Sequence, residues 1–412
     1  MATEPARRDP SFLPSDYSPL RLPVYSRVML GQYLWHINVV FLAVLGVVTA
    51  INISSEILTV WAEGALEGTF AAVSRSGHYV FLRLLDNGSQ VFPIALVLGI
   101  AWTEIAHSQS GRRTMVRTAG MPLRKASSAL IIIVSISIPF QYVLDNIVRP
   151  YAFMSLSVNG LGEYGWSYSR MREERMEWLA FGDDILQARI KDAPDPLLSE
   201  VTHYRFSRDG ELSLLSDASF MARNTEGGDE SWTFVDGRQW ALSRPGSNGH
   251  EGERSTRLVA KGSFEVDLKL DPLWLDYRHI AARYIPLGDL LSLSRQTALP
   301  DNAPRYREWL HIRAAKALNP GLLALLVATV FAVFVDRLGL ARAGAAMIVA
   351  GYAGLTLTRV MAVVAEHQVL PLALSVWTPP LLLLLASVIL FHHVRLRDRR
   401  FEEAARVIGG SN

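Results

Sequence analysis

Long apolar runs alternate with polar stretches in an uneven rhythm along this chain. A membrane-crossing helix needs about 20 mainly apolar residues, and six runs meet or approach that length. The first is LWHINVVFLAVLGVVTAINI from Leu34. The second, VFPIALVLGIAW from Val91, is short alone, and YVFLRLL before it and TEIAH after it could extend it. The third is SALIIIVSISIPFQYVLDNIV from Ser128. The stretch from Arg149 to Lys316 holds no such run. The last three are ALNPGLLALLVATVFAVFV from Ala317, GAAMIVAGYAGLTLTRVMAVVA from Gly344 and LALSVWTPPLLLLLASVILFHH from Leu372. The fold class expected is a polytopic α-helical membrane protein with six transmembrane helices, three before and three after a soluble insert.

The insert changes period. TRLVAKGSFEVDLKLDPLWL alternates Phe264, Val266, Leu268 and Leu270 with polar residues, the pattern of a half-buried strand. VTHYRFSRDGELSLLSDASF places Arg208, Asp209 and Gly210 between two such runs, and SWTFVDGRQWAL places Asp236 and Gly237 likewise, so both predict hairpins. Short strands at this spacing imply a sandwich, jelly roll or open barrel. GEYGWSYSRMREERMEWL before them reads as a helical or extended connector.

Charge orients this layout. Four segments are basic: the N-terminal arm (Arg7, Arg8, Arg21, Arg27), SGRRTMVRTAGMPLRK (Arg112, Arg113, Arg117, Arg124, Lys125), the loop with Arg337 and Arg342, and the tail with Arg395, Arg397, Arg399 and Arg400. With six spans all four fall on one side, and the positive-inside rule makes that side the cytoplasm. Both termini are then expected inside and the β domain outside, on the periplasmic or extracellular side. The divisions expected are a cytoplasmic arm (1–33), transmembrane helices one to three (34–150) with a cytoplasmic segment at 108–125, a β domain (151–305), helices four to six (306–394) and a cytoplasmic tail (395–412).

Composition removes several chemistries. Half of the 412 residues are hydrophobic and the net charge is only +2, so the chain as a whole is no nucleic-acid binder. There is no cysteine, which excludes disulfides and thiolate chemistry. No phosphate-cradling GxxxxGK[ST], HExxH, GxSxG or kinase signature occurs. The histidines are scattered, and the pair His392 and His393 at the end of span six reads as interfacial rather than metal-binding. No cofactor, metal or catalytic residue is expected; active work would draw on a partner or an ion gradient.

Polar groups within spans are costly and therefore candidates for function. Arg359 stands in span five, about two turns from the end marked by Glu366 and His367. It suits an anionic substrate in a cavity, or else snorkels or pairs with Glu366 or Asp145. His36 in span one reads as capped or interfacial. Glu104, near the inner end of span two, is placed to pair with the basic loop. Asp145, Asn146 and Arg149 gather where span three leaves the membrane. Pro139, Pro379 and Pro380 predict kinks.

Local matches in order along the chain add a family. VRTAGMPLRK is similar to the LRAAG[VI]S segment after span two of the LptF/LptG permeases of the lipopolysaccharide-transport ABC exporter. VLDNIVRP resembles their exit from span three, and VLPLALSVWTPPLLLLL their entry to span six, with Pro371, Trp377 and Pro379 in the matching places. The resemblance covers nearly the whole chain after the arm and implies a β jellyroll for the insert. It also implies partners: a second permease as hetero- or homodimer, a cytoplasmic ABC ATPase dimer, a periplasmic jellyroll bridge protein, and lipopolysaccharide or a related lipid as cargo. Arg112, Arg113, Met115, Val116, Arg117 and Gly120 would then form an ATPase-coupling segment, an amphipathic short helix ended by the glycine. Arg359, Arg149 and His36 would be candidates for the lipid path.

Two departures keep an alternative open. The family carries an acidic residue five positions before the LRAAG arginine, where this chain has Arg112. Family members also tend to carry basic residues near the outer end of span one, where this chain has Glu56 and Glu63 instead. The alternative is a non-transporting paralogue, a membrane scaffold or assembly factor acting through its β domain. An ion-coupled transporter is weaker, because the two halves show no clear internal similarity.

Overall fold

The computed structural model describes residues 23–119, 121, 126–171, 173–191, 197–224, 231–243, 255–266, 268, 270–296, 299, 303, 305–367 and 369–409. The expected N-terminal arm, Gly120, Arg124 and Lys125 lie largely or wholly outside that set. In chain order the elements are α1 (Val24–Ile53), α2 (Ile57–Ala65), α3 (Thr69–Gln109), α4 (Arg112–Thr118) and α5 (Ser128–Val143). A π-helical turn (Leu144–Val148), α6 (Arg149–Val158) and α7 (Gly162–Met171) follow. The strands are β1 (Arg175–Phe181), β2 (Asp184–Lys191), β3 (Leu197–Phe206), β4 (Leu212–Asn224), β5 (Ser231–Ser243) and β6 (Ser255–Val266). The chain returns through α8 (Pro272–Tyr277), a 3-10 turn (Ala282–Tyr284) and α9 (Leu287–Arg295) to α10 (Tyr306–Leu338), α11 (Leu340–Glu366) and α12 (Leu372–Gly409).

Six helices are long and apolar enough to cross a membrane, as the hydropathy pattern predicts: α1, α3, the run Ser128–Val158, α10, α11 and α12. Span two exceeds its pattern. It has 41 residues, about 60 Å of helix and twice the thickness of the bilayer core. Its first turns pack Tyr79 and Leu82 against Val60, Leu156 and Leu161. Span three likewise runs beyond Arg149 to Val158, through the π turn. Pro139 lies within α5, and Pro379 and Pro380 within α12; each helix continues through them.

Small residues bring the helices together, since lipid gives apolar side chains no reason to prefer one another. A Cβ at Gly99 of span two would lie 2.6 Å from Ile37 Cα of span one. One at Gly321 of span four would lie 3.1 Å from the Val134 carbonyl of span three. Polar ties add direction: Asn52 donates to Asn87 at 2.9 Å, and Asn87 to Thr49 at 3.1 Å.

The insert is one six-stranded antiparallel sheet in the order β1-β2-β3-β4-β5-β6, matching the all-β domain expected. Alternation shows in β2, where Leu186, Ala188 and Ile190 are buried. These residues, with Leu198, Val201, Met221, Trp232 and Phe234, pack on Trp274, Leu275, Ile285 and Leu290 of the returning segment. The Trp232 indole donates to the Leu270 carbonyl at 2.9 Å, fixing that segment to the sheet.

One expected hairpin is real and the other is not. Gly210, at φ +76, turns β3 into β4, and the Ser207 amide donates to the Glu211 carbonyl at 2.7 Å. The VDG stretch instead lies inside β5. Asp236 takes φ +52, and the register against β6 shifts between Phe234 and Gly237, a bulge. Gly237 is needed for close approach: a Cβ there would sit 2.9 Å from the Asp217 carbonyl and 3.0 Å from the Phe264 ring.

Candidate functional site

The basic segment between spans two and three does form a helix. Gly111 leaves α3 at φ +70, which lets α4 start in a new direction. The Ala119 amide donates to Met115 at 2.9 Å and the Met121 amide to Val116 at 3.2 Å, closing its last turn. With helical spacing its side chains divide. Arg112 and Met115 face outward, Met115 being 68% exposed. Arg113 and Val116 are half-buried. The Arg113 guanidinium donates to Glu104 of span two at 3.3 Å and lies 5.5 Å over the Phe331 ring of span four. The same Glu104 carboxylate accepts a hydrogen bond from the Tyr33 hydroxyl of span one. The side chain of Arg117, like Gly120, lies outside the described residues.

At the opposite end of the bundle, where the sheet is attached, a second cluster gathers charges from distant parts of the chain. Asp86 of span two is buried; it accepts from Arg149 at 3.2 Å and from Tyr164 of α7 at 3.1 Å, with Arg83 at 3.5 Å. Arg149 also lies 5.2 Å over the Tyr284 ring, which stacks on Phe153 at 4.0 Å. Burial, and then the Asp86 charge, push the Tyr164 phenol up, so it stays protonated and remains a donor. Arg313 of span four is 4% exposed and donates to the carbonyls of Ala282 and Ile285, each at 2.7 Å, and to Asn146 at 3.4 Å. One guanidinium thus holds the returning segment of the β domain against the π turn of span three.

The three lipid-path candidates do not share a site. Arg149 is committed to Asp86 and Tyr284. His36 bonds Thr103 at 2.9 Å and stacks on Trp102 at 4.7 Å between centroids, which fits the capped reading. Arg359 is exposed on span five beside Tyr352 and Val360, with no ion-pair or hydrogen-bond partner among the described residues. Asp145 instead accepts from Gln141 at 2.7 Å. Sequence reasoning singled out none of Arg83, Asp86 or Arg313. A charge in the apolar register of each helix was the available signal.

Comparison with protein families gives one match. The family model described as Lipopolysaccharide export system permease LptF/LptG covers residues 30–393. A comparison with curated proteins yields no match.

Proposed function

Because the chain belongs to the lipopolysaccharide export permease family LptF/LptG, we propose that it is one permease of an ABC exporter that takes lipopolysaccharide or a related lipid out of the inner membrane. It pairs with a second permease, so the apolar faces of spans one and five that are exposed in the single chain meet a partner or lipid. A separate ATPase dimer supplies the energy, since the chain carries no phosphate-cradling motif of its own. The basic flanks put α4 and both termini in the cytoplasm and the sheet in the periplasm, where it hands the lipid to a jellyroll bridge protein by pairing sheet edges.

The observation that carries this reading is α4 itself. A segment used only for topology needs charge and nothing more. This one folds into a helix with an exposed Arg112 and Met115 on one side and a tethered Arg113 on the other, the shape required of a helix seated in a groove. Arg112 replaces the acid usual in the family, so the matching ATPase groove is expected to carry an acidic contact. Arg359, a cation exposed within a span, serves an anionic lipid headgroup.

The test is co-purification of the full chain from native membranes in mild detergent, with bound proteins and lipids identified. A stoichiometric ABC ATPase and lipid A in the pool are expected. Envelope proteins alone, with neither ATPase nor lipid, would overturn the exporter reading in favour of a scaffold.

A further inference from the structure

The inward side of α4 has a geometry that the docking role does not require. Arg113 is the only α4 side chain that the described contacts place in an ion pair. Its partner Glu104 is largely shielded, with side-chain exposures of 19% for the arginine and 12% for the glutamate. One Glu104 oxygen takes Arg113, and the other takes the Tyr33 hydroxyl. Three elements therefore converge on one carboxylate: α4, span two and span one.

Further ties between the same spans lie nearby. The Tyr25 hydroxyl bonds His107 at 2.9 Å and His36 bonds Thr103 at 2.9 Å, so the inner halves of spans one and two are sewn together by polar pairs. A cavity of about 120 Å³ borders the Arg113–Glu104 pair, with Tyr33, Glu104 and Arg113 on one side and Val116, Leu130 and Phe391 on the other. The charged link to Glu104 joins α4 to spans one and two through a single carboxylate.

We propose that Arg113 is a positioning residue for transport: it couples α4 to the Tyr33–Glu104 pair, so that a displacement of α4 is passed to spans one and two. This rests on the exporter reading for the source of the displacement. It assigns docking to the outer side of α4 (Arg112, Met115) and transmission to the inner side (Arg113).

The two roles separate experimentally in the full chain, with its co-purified ATPase, in lipid nanodiscs. Arg113→Gln and Glu104→Gln should each keep the bound ATPase and ATP hydrolysis within about twofold, while lipopolysaccharide released per ATP falls about tenfold. The double variant should fall no further than the worse single one, since both remove the same link. Arg113→Lys, which keeps the charge, should recover much of the loss. Loss of bound ATPase in Arg113→Gln, an unchanged release ratio, or additive losses in the double variant would each overturn the proposal. A second measurement needs no ATPase. The chain lacks cysteine, so a nitroxide on Met115→Cys reports α4 alone. The label should be more mobile once Glu104→Gln is added than in the parent; equal mobility in both would overturn the tie. If no ATPase accompanies the parent chain, the exporter reading falls and transmission falls with it, whereas the label still judges the tie itself.

Discussion

The joint beneath the sheet and the outer face of span five treat the same side chain in opposite ways. At the joint, Arg149 and Arg313 are enclosed and held by a carboxylate, a tyrosine ring and main-chain carbonyls. On span five Arg359 is exposed, with no ion-pair or hydrogen-bond partner among the described residues. A buried cation without partners costs several kcal/mol, so the joint exists only because its partners are present. An exposed cation within a span costs free energy in lipid unless an anion reaches it or it snorkels. The two enclosed arginines of the joint hold the fold together, whereas Arg359 has no such partner among the described residues.

The largest effect expected from breaking this contrast is at Arg313. Arg313→Met keeps the aliphatic stem and removes the guanidinium, leaving the Ala282 and Ile285 carbonyls without their donor. A loss of about 3 kcal/mol is expected. It should appear as a lower unfolding temperature in detergent and as faster proteolysis in the segment between the sheet and span four. Stability equal to the parent's would mean that packing alone holds the sheet to the bundle.

Most of the frame was legible because it repeats locally. Apolar runs gave the six spans, and alternation gave the strands. The pairing of Glu104 with the basic loop was also readable, since the two lie nine positions apart. The joint was not readable in this way. Arg149 meets Asp86 across 63 positions and Arg313 meets Asn146 across 167, so no window of sequence contains both partners. Arg149 stood out as a residue, yet its role depends on a carboxylate from another span. The VDG bulge misled for a related reason: a glycine required by a neighbouring strand leaves the same local mark as one required by a turn.

Arg359 gives the intermediate effect, and it falls on function rather than stability. Arg359→Leu should leave the unfolding temperature unchanged within error, because no described contact is lost. Photo-crosslinking of lipopolysaccharide from a probe on span five should drop several-fold if the headgroup anion is its partner. Unchanged crosslinking and viability would sink the lipid role and leave a snorkelling arginine. A fall in stability would show that the residue belongs with the enclosed set after all.

The smallest effect tests the rule on a group that titrates. His203 of β3 is buried, with its Nε2 2.8 Å from Asp184, and no described residue meets its Nδ1. Burial pushes its pKa below the ordinary imidazole value; Asp184 opposes this, and Arg205, which also bonds Asp184, adds to it. The unfolded chain therefore binds the proton first. Stability of the sheet is complete above the unfolded value near 6.5 and declines as pH falls through it towards the lower folded value. Unfolding temperatures of the intact chain between pH 8 and pH 5 should fall on the acid side, and His203→Gln should flatten that fall. An equal slope in the variant would place the acid sensitivity elsewhere. It would also show that Asp184 satisfies the imidazolium as fully as Asp86 satisfies Arg149, which would put His203 among the groups this fold can hold charged.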